Sequence, residues 1–211
     1  MRALAGAMIM MAAAATPVVA QQESVTERWS VELDAAFFGE YDDSGLWGSG
    51  AGGGITGWWA LNTTTYLGAH FSVTQWSYES SSVVSDLVPP GSELRSEEST
   101  GHVQLVSLTP LIRYQREEVM GTLGAFAAAG GGVAYLRQHA LTDVTFFPPS
   151  VGAASFELDD SSWNASIEML AGLRLPVSSS SWLELISSYR ALFADETANL
   201  VGIGVGFHVR V

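Results

Sequence analysis

The pattern is clearest at the C-terminal end. From Asn199 the chain reads NLVGIGVGFHVRV, with Val201, Ile203, Val205, Phe207, Val209 and Val211 on one parity. Gly202, Gly204, Gly206, His208 and Arg210 fill the other. A period of two over this length predicts a strand with one apolar face and one small or polar face. The same reading recurs upstream. Trp29, Val31, Leu33, Ala35 and Phe37 alternate with Ser30, Glu32 and Asp34. Ile55, Trp59 and Leu61 alternate with Thr56 and Trp58; Leu67, Ala69, Phe71 and Val73 alternate with His70, Ser72 and Thr74. Trp163, Ala165, Ile167, Met169, Ala171 and Leu173 alternate with Asn164, Ser166, Glu168 and Arg174, and Leu183, Leu185 and Tyr189 with Glu184, Ser188 and Arg190. Two further strands are predicted near 102–115 and 121–137. In the first, Val103 and Leu105 lie on one parity and Val106 and Leu108 on the other, which predicts a bulge.

The segments between these strands alternate in length. Short turns are expected at 62–64, 117–120 and 177–181, and long links at 40–49, 79–101, 140–160 and 191–198. Short turns at one end and long loops at the other fit an all-β, eight-stranded, antiparallel, up-and-down transmembrane β-barrel. Such a barrel satisfies every backbone polar group within lipid. The charge-free stretch Val119–Leu136 is long enough for a membrane helix, but five glycines, three of them consecutive, favour a strand with other backbone packed close. A water-soluble barrel would show the same period. The polar parity here is rich in Gly, Ser and Thr with isolated charges. Aromatic residues also gather near strand ends: Trp29, Trp59, Tyr66, Tyr114, Trp163, Trp182 and Phe207. Both features favour a membrane barrel with interfacial belts.

The N-terminus changes the picture of location. Met1-Arg2 is followed by an uncharged apolar stretch to Ala15, then Thr16-Pro17 and Val18-Val19-Ala20. This is the layout of a secretory signal peptide over 1–20, cleaved before Gln21. A short segment, 21–28, then leads into a barrel over 29–211. Composition excludes other classes. The 211 residues carry 22 acids and 9 bases, all nine Arg, for a net charge of −13. A nucleic-acid binder needs a positive face. With no Cys, disulfide scaffolds, thiolate metal sites and Cys nucleophiles are out.

With these segments in order, the chain resembles the small eight-stranded outer-membrane barrels of the OmpA, OmpX and opacity-protein type, the porin-family proteins of Gram-negative bacteria. The resemblance rests on SLTPLIRYQR at 107–116, GAFAAAGGGVAYL at 124–136, AGLRLPV at 171–177, LELISSYRAL at 183–192 and the closing VGIGVGFHVRV. It covers nearly the whole chain after the leader. Members usually end in Phe, and this chain ends in Val211; no peptidoglycan-binding domain follows the barrel. The resemblance implies an integral protein of the bacterial outer membrane, in contact with its lipids and lipopolysaccharide.

If the apolar parity faces lipid, an interior ion network follows: Glu32, Asp34, Arg113, Glu168, Arg174, Glu184, Arg190 and Arg210. Register sharpens this. A turn centred on Ser179 sets Glu184 opposite Arg174 and Arg190 opposite Glu168. A turn at Thr63 sets Trp58 beside Gly68. Closure of strand eight on strand one would bring His208 and Arg210 near Glu32. Eight strands leave room only for side chains. The charges therefore read as a plug that fills the lumen rather than as a selective pore, with a narrow passive channel for small solutes or ions as the alternative.

The four long links hold fourteen acids and one base, Arg95. Such a face attracts cations. Divalent cations or cationic surface partners are the partners expected there, although no window has the spacing of a calcium loop. The favoured reading is a non-enzymatic barrel with a structural and surface-display role. His70 and Ser72 share a face, as in a His-x-Ser lipid A deacylase pair, but Val73 stands where those enzymes carry Asn, and no acid is placed nearby. No catalytic residue, cofactor or metal site is therefore expected. His102 and His139 fall at the outer ends of neighbouring strands and could be adjacent.

Overall fold

The computed structural model describes residues 29–40, 49–80, 93–120, 122–147, 153–193 and 197–211. The expected signal peptide and the segment 21–28 lie outside these residues. The described residues form eight strands: β1 (Trp29–Glu40), β2 (Ser49–Ala60), β3 (Thr65–Ser80), β4 (Glu93–Met120), β5 (Leu123–Phe147), β6 (Ala153–Pro176), β7 (Ser181–Phe193) and β8 (Thr197–Arg210). Each pairs antiparallel with the next, and β8 returns to β1, closing the barrel.

The two-residue period decides which side chain faces where. Along β7, Trp182, Glu184, Ile186, Ser188 and Arg190 are buried, while Leu183, Leu185 and Ser187 are exposed. In β8, Ile203, Val205 and Phe207 face out and the glycines between them face in. This inverts the arrangement of a water-soluble protein. The outer wall carries Leu33, Phe37, Ile55, Phe71, Ile112, Val133 and Leu173, all exposed. The buried positions include Glu, Arg, His, Ser and Thr. An apolar outside around a polar inside is what a bilayer requires of a barrel.

The tight end is held locally. At the β2–β3 turn, the Asn62 carbonyl oxygen accepts from the backbone N–H of Thr64 and Thr65 and from the Thr64 hydroxyl. At the β6–β7 turn, the Val177 and Ser178 amides donate to the Ser181 carbonyl. Of Val119–Leu136, Val119 and Met120 end β4 and Leu123–Leu136 lie in β5. The β5 glycines admit a close approach: a Cβ on Gly132 or Gly130 would run into the Leu108 or Pro110 carbonyl oxygen of β4.

Three sequence expectations are corrected. First, β4 has no bulge between Val103 and Leu108; its pairing with β3 is continuous there. Both parities are apolar because the loop end of the lumen is itself apolar. Val103 and Leu105 point in, against Trp76, Ala134, Leu136, Leu192 and Leu200. Irregularities fall instead at Leu94–Ser96 and Arg116–Met120. Second, much of the expected loop sequence is strand. β4, β5 and β6 have 28, 25 and 24 residues, so they run well past the bilayer. At about 3.3 Å per residue, a 25-residue strand spans roughly 80 Å before tilt. Outside lipid both faces meet water, so the alternation that marks a half-buried strand is lost there. Of the fourteen acids assigned to links, Glu40, Glu79, Glu93, Glu97, Glu98, Asp143, Glu157, Asp159 and Asp160 are strand residues, as is Arg95. Asp42, Asp43, Asp86, Asp195 and Glu196 lie outside the described residues. Likewise β4 runs through the turn expected at 117–120 to Met120, and β5 begins at Leu123. Third, Tyr66 and Trp182 are not belt residues: both are buried and face the lumen. The outward aromatics are Trp29 and Trp59, packed edge to face at 4.6 Å, with Tyr114 and Phe207 at the turn end. Tyr135 and Trp163 stack at 5.2 Å toward the loop end.

Candidate functional site

The charged lumen is the candidate site, and it is built in two tiers. Strand register brings the first together. The β6–β7 hairpin pairs Arg174 with Glu184, and closure pairs Glu32 with His208. Arg113, on the opposite wall in β4, reaches across the lumen. Its Nη1 donates to Glu32 Oε2 and its Nη2 to Glu184 Oε1, both at 2.6 Å. Trp58 Nε1 donates to the same Glu32 oxygen at 2.9 Å. The Arg113 guanidinium lies 3.9 Å from the Phe126 ring centre and 5.3 Å from that of Trp58. Cation and aromatic faces thus add to two charge-assisted hydrogen bonds. Arg174 Nε is 3.5 Å from Glu184 Oε1, and its Nη1 is 3.4 Å from Glu117 at the turn end. Its guanidinium lies over Trp182 at 4.3 Å, with Arg210 over the same ring at 5.0 Å.

The second tier lies toward the loop end. Glu168 and Arg190 face each other across β6 and β7 and bond at 2.6 Å. Arg190 Nη2 also donates to Ser72 Oγ at 2.9 Å, and Ser72 bonds Ser107 at 2.8 Å. His70 sits between two carboxylates, with Nδ1 3.0 Å from Glu168 and Nε2 3.2 Å from Asp34. The apolar cluster around Trp76, Leu105, Leu192 and Leu200, with Phe38 packed on it, closes the loop side. A second cluster, including Trp58, Leu111, Phe126, Leu170 and Ile186, fills the space between charged groups. Small cavities lie beside these groups, of ≈ 20 Å³ at Asp34, His70, Glu168 and Arg190 and ≈ 10 Å³ at Tyr66, Gln115 and Arg174. Each has room for about one water molecule. Arg190 Nε and Nη1 have no protein partner, so a water in the larger cavity would satisfy a buried donor.

The sequence-derived residues distribute as follows. Glu32, Arg113, Arg174 and Glu184 form the first tier; Asp34, Glu168 and Arg190 belong to the second. Arg210 stands apart from the carboxylates: it lies opposite Ser30 and stacks on Trp182. Trp58 lies opposite Gly68, where a Cβ would overlap the indole. Sequence reasoning did not assign His70 to the ion network. Its parity with Gly68 and Ser72 on β3 was the available signal. His70 and Ser72 both face the lumen; contrary to the sequence expectation, acids do stand beside His70, namely Asp34 and Glu168, while Ser72 bonds Arg190 and Ser107. Glu32, Glu184 and His208 bring ligand-type atoms within 4.8 Å of one another. Arg113 already occupies the space between the two carboxylates, so a metal ion would have to displace a guanidinium bonded at 2.6 Å to each.

No protein-family model matches the chain, and no curated protein matches it in sequence. Solved structures do match in shape. The Neisserial surface protein A is 14% identical with a TM-score of 0.52, over 87% of this chain and 97% of that one. Ail, the attachment invasion locus protein of Yersinia pestis, solved with the heparin analogue sucrose octasulfate, is 14% identical with a TM-score of 0.43, over 86% and 97%. The N-terminal β-barrel domain of Pseudomonas aeruginosa OprF is 17% identical with a TM-score of 0.37, over 85% and 96%. Strand number, closure, inverted polarity and the likeness to Neisserial surface protein A agree: the chain has the fold of the small eight-stranded outer-membrane barrels.

Proposed function

We propose that the protein is a non-enzymatic scaffold of the bacterial outer membrane, delivered by a cleaved signal peptide. Its lumen is a plug, and its working surface is the acidic, strand-built projection beyond the bilayer. One observation carries this reading. Among the described residues, cross-wall ion pairs fill the barrel interior, an apolar cluster caps its loop end, and the cavities beside the charged groups measure ≈ 20 and ≈ 10 Å³. A buried charge costs several kcal/mol unless paired, so a network of this kind serves the barrel only while it stays assembled. A conducting path would require these pairs to separate and Trp76, Leu105 and Leu192 to leave the mouth. The outer wall meets lipid, including lipopolysaccharide. The acids of β4–β6 give the projection a field that draws divalent cations or cationic surface partners.

The test is conductance of the chain from Gln21, refolded into a planar bilayer. A silent membrane, with a heat-modifiable gel band proving the barrel folded, is the expected result. Discrete cation-selective openings that change in Glu184→Gln or Arg190→Gln would reject the plug in favour of a narrow passive channel.

A further inference from the structure

Two arginines at the turn end of the lumen are poorly matched by acids. Glu32 and Glu184 both bond Arg113, at 2.6 Å each. Arg174 reaches only the Glu184 oxygen that Arg113 already holds, at 3.5 Å, and the half-exposed Glu117, at 3.4 Å. Its Nη2 is buried without a protein partner. Among the described residues, Arg210 has no carboxylate within ion-pair distance. It lies over Trp182 at 5.0 Å, and Arg174 lies over the same ring at 4.3 Å. An aromatic face attracts a guanidinium but carries no net charge, so it orients both cations and neutralises neither. Arginine does not shed its proton, and buried charges call for counter-charges.

Both arginines line one cavity, of ≈ 10 Å³, together with Ser30, Tyr66, Gln115 and His208. The backbone fixes its place. The Arg210 amide donates to the Ser180 carbonyl at 2.8 Å, and the Val211 amide to the Trp29 carbonyl at 3.0 Å. The end of β8 is thus held by the β6–β7 turn on one side and β1 on the other. The lining is rich in donors. Ser30 Oγ is buried with no partner. Tyr66 accepts from Gln115 Nε2 at 2.9 Å, so its own O–H remains a donor. Gln115 Oε1, also without a partner, is the acceptor that a water would use, which makes water the rival guest. Charge decides between them. A water offsets neither guanidinium; an anion offsets both.

We propose that this cavity binds a small monovalent anion of the halide class, held by Arg174 and Arg210 with the Ser30 hydroxyl as a further donor. The space takes one water, and a chloride ion is only slightly larger; phosphate and sulfate are too large. Guanidinium is more weakly hydrated than ammonium, so little hydration is given up on pairing with a halide. The anion then does for the turn end what Glu32 and Glu184 do for Arg113. The site rests on the closed barrel and on these side chains, and it is independent of whether the lumen conducts.

The probe is sodium chloride, exchanged for sodium gluconate at constant ionic strength while the chain from Gln21, refolded in lipid vesicles, is unfolded in urea. Gluconate is too large for the cavity. A ligand bound only by the folded state raises the folded-to-unfolded ratio, about elevenfold when present at ten times its dissociation constant. A saturating rise with chloride is expected in the parent, and none in Arg210→Gln. Ser30→Val, which fills the cavity without changing the charge, should lose the rise as well. Heat-modifiable gel mobility checks that both variants fold. Crystals grown in sodium bromide should show an anomalous peak between Arg174 and Arg210. A parent without chloride dependence, a dependence equal in the parent and Arg210→Gln, or a cavity that holds water only would overturn the proposal.

Discussion

Arg113 is the most consequential single residue in the lumen. It is fully buried, and it bonds both first-tier carboxylates, each at 2.6 Å. Replacing it in Arg113→Met keeps most of the stem and the Phe126 contact but leaves Glu32 and Glu184 facing each other. His208 at 3.7 and 3.5 Å, and Arg174 at 3.5 Å from Glu184, offset this only in part. Breaking a buried pair from one side costs about 3–5 kcal/mol, because a charge stays behind. Two charges stay behind here, so the upper half of that range is expected. Removing the charges as well, in E32Q/R113M/E184Q, should recover most of the loss, to within about 1 kcal/mol of the parent. The assay is equilibrium urea unfolding in thin lipid vesicles, followed by Trp fluorescence and by heat-modifiable mobility. The reasoning fails if Arg113→Met costs less than about 1 kcal/mol, or if the triple variant is as unstable as the single one.

Gly68→Ala places a methyl against the Trp58 indole and should cost about 1–3 kcal/mol in the same assay, with Trp58→Leu relieving part of it. Ile203, 66% exposed near the middle of β8, should face the bilayer centre; Ile203→Arg is expected to cost about 2–4 kcal/mol in vesicles, and a neutral result would mean that this wall does not meet lipid. The bilayer recordings above complete the set.

Legibility in the sequence followed the environment of each segment. Where one strand face met lipid and the other a polar lumen, alternation was sharp and even the register could be read. Two opposite-charge pairs on one hairpin, Arg174 with Glu184 and Glu168 with Arg190, mark a single offset, and the β6–β7 pairing has that offset. Where the lumen turns apolar, at Val103 and Leu105, both parities looked alike and a bulge was inferred instead. Where strands leave the membrane, as in β4–β6, neither face is apolar and the residues read as loop. Tyr66 and Trp182 sit near strand ends, as belt aromatics do; only their parity, shared with Arg113 and Glu184, shows that they point inward. Arg113 itself is recognisable as inward, but its reach to both Glu32 and Glu184 depends on barrel closure, which no local pattern encodes. The neighbourhood of His102 and His139 was legible, because both stand at the outer ends of adjacent strands, and the β4–β5 register pairs them.

The uneven rim has a further consequence, for how copies of the chain meet. β7 joins β6 only from Ala165 onward among the described residues, while β6 begins at Ala153. From Ala153 to Asn164 the strand pairs with β5 on one side, and no described residue pairs with its other backbone edge. An open edge is a template for a strand of a second molecule. This edge is lined by Glu157, Asp159 and Asp160, so two copies brought edge to edge would set carboxylate against carboxylate. In a crowded membrane, where lateral encounters are frequent, that repulsion keeps neighbouring barrels from adding to one another's sheets.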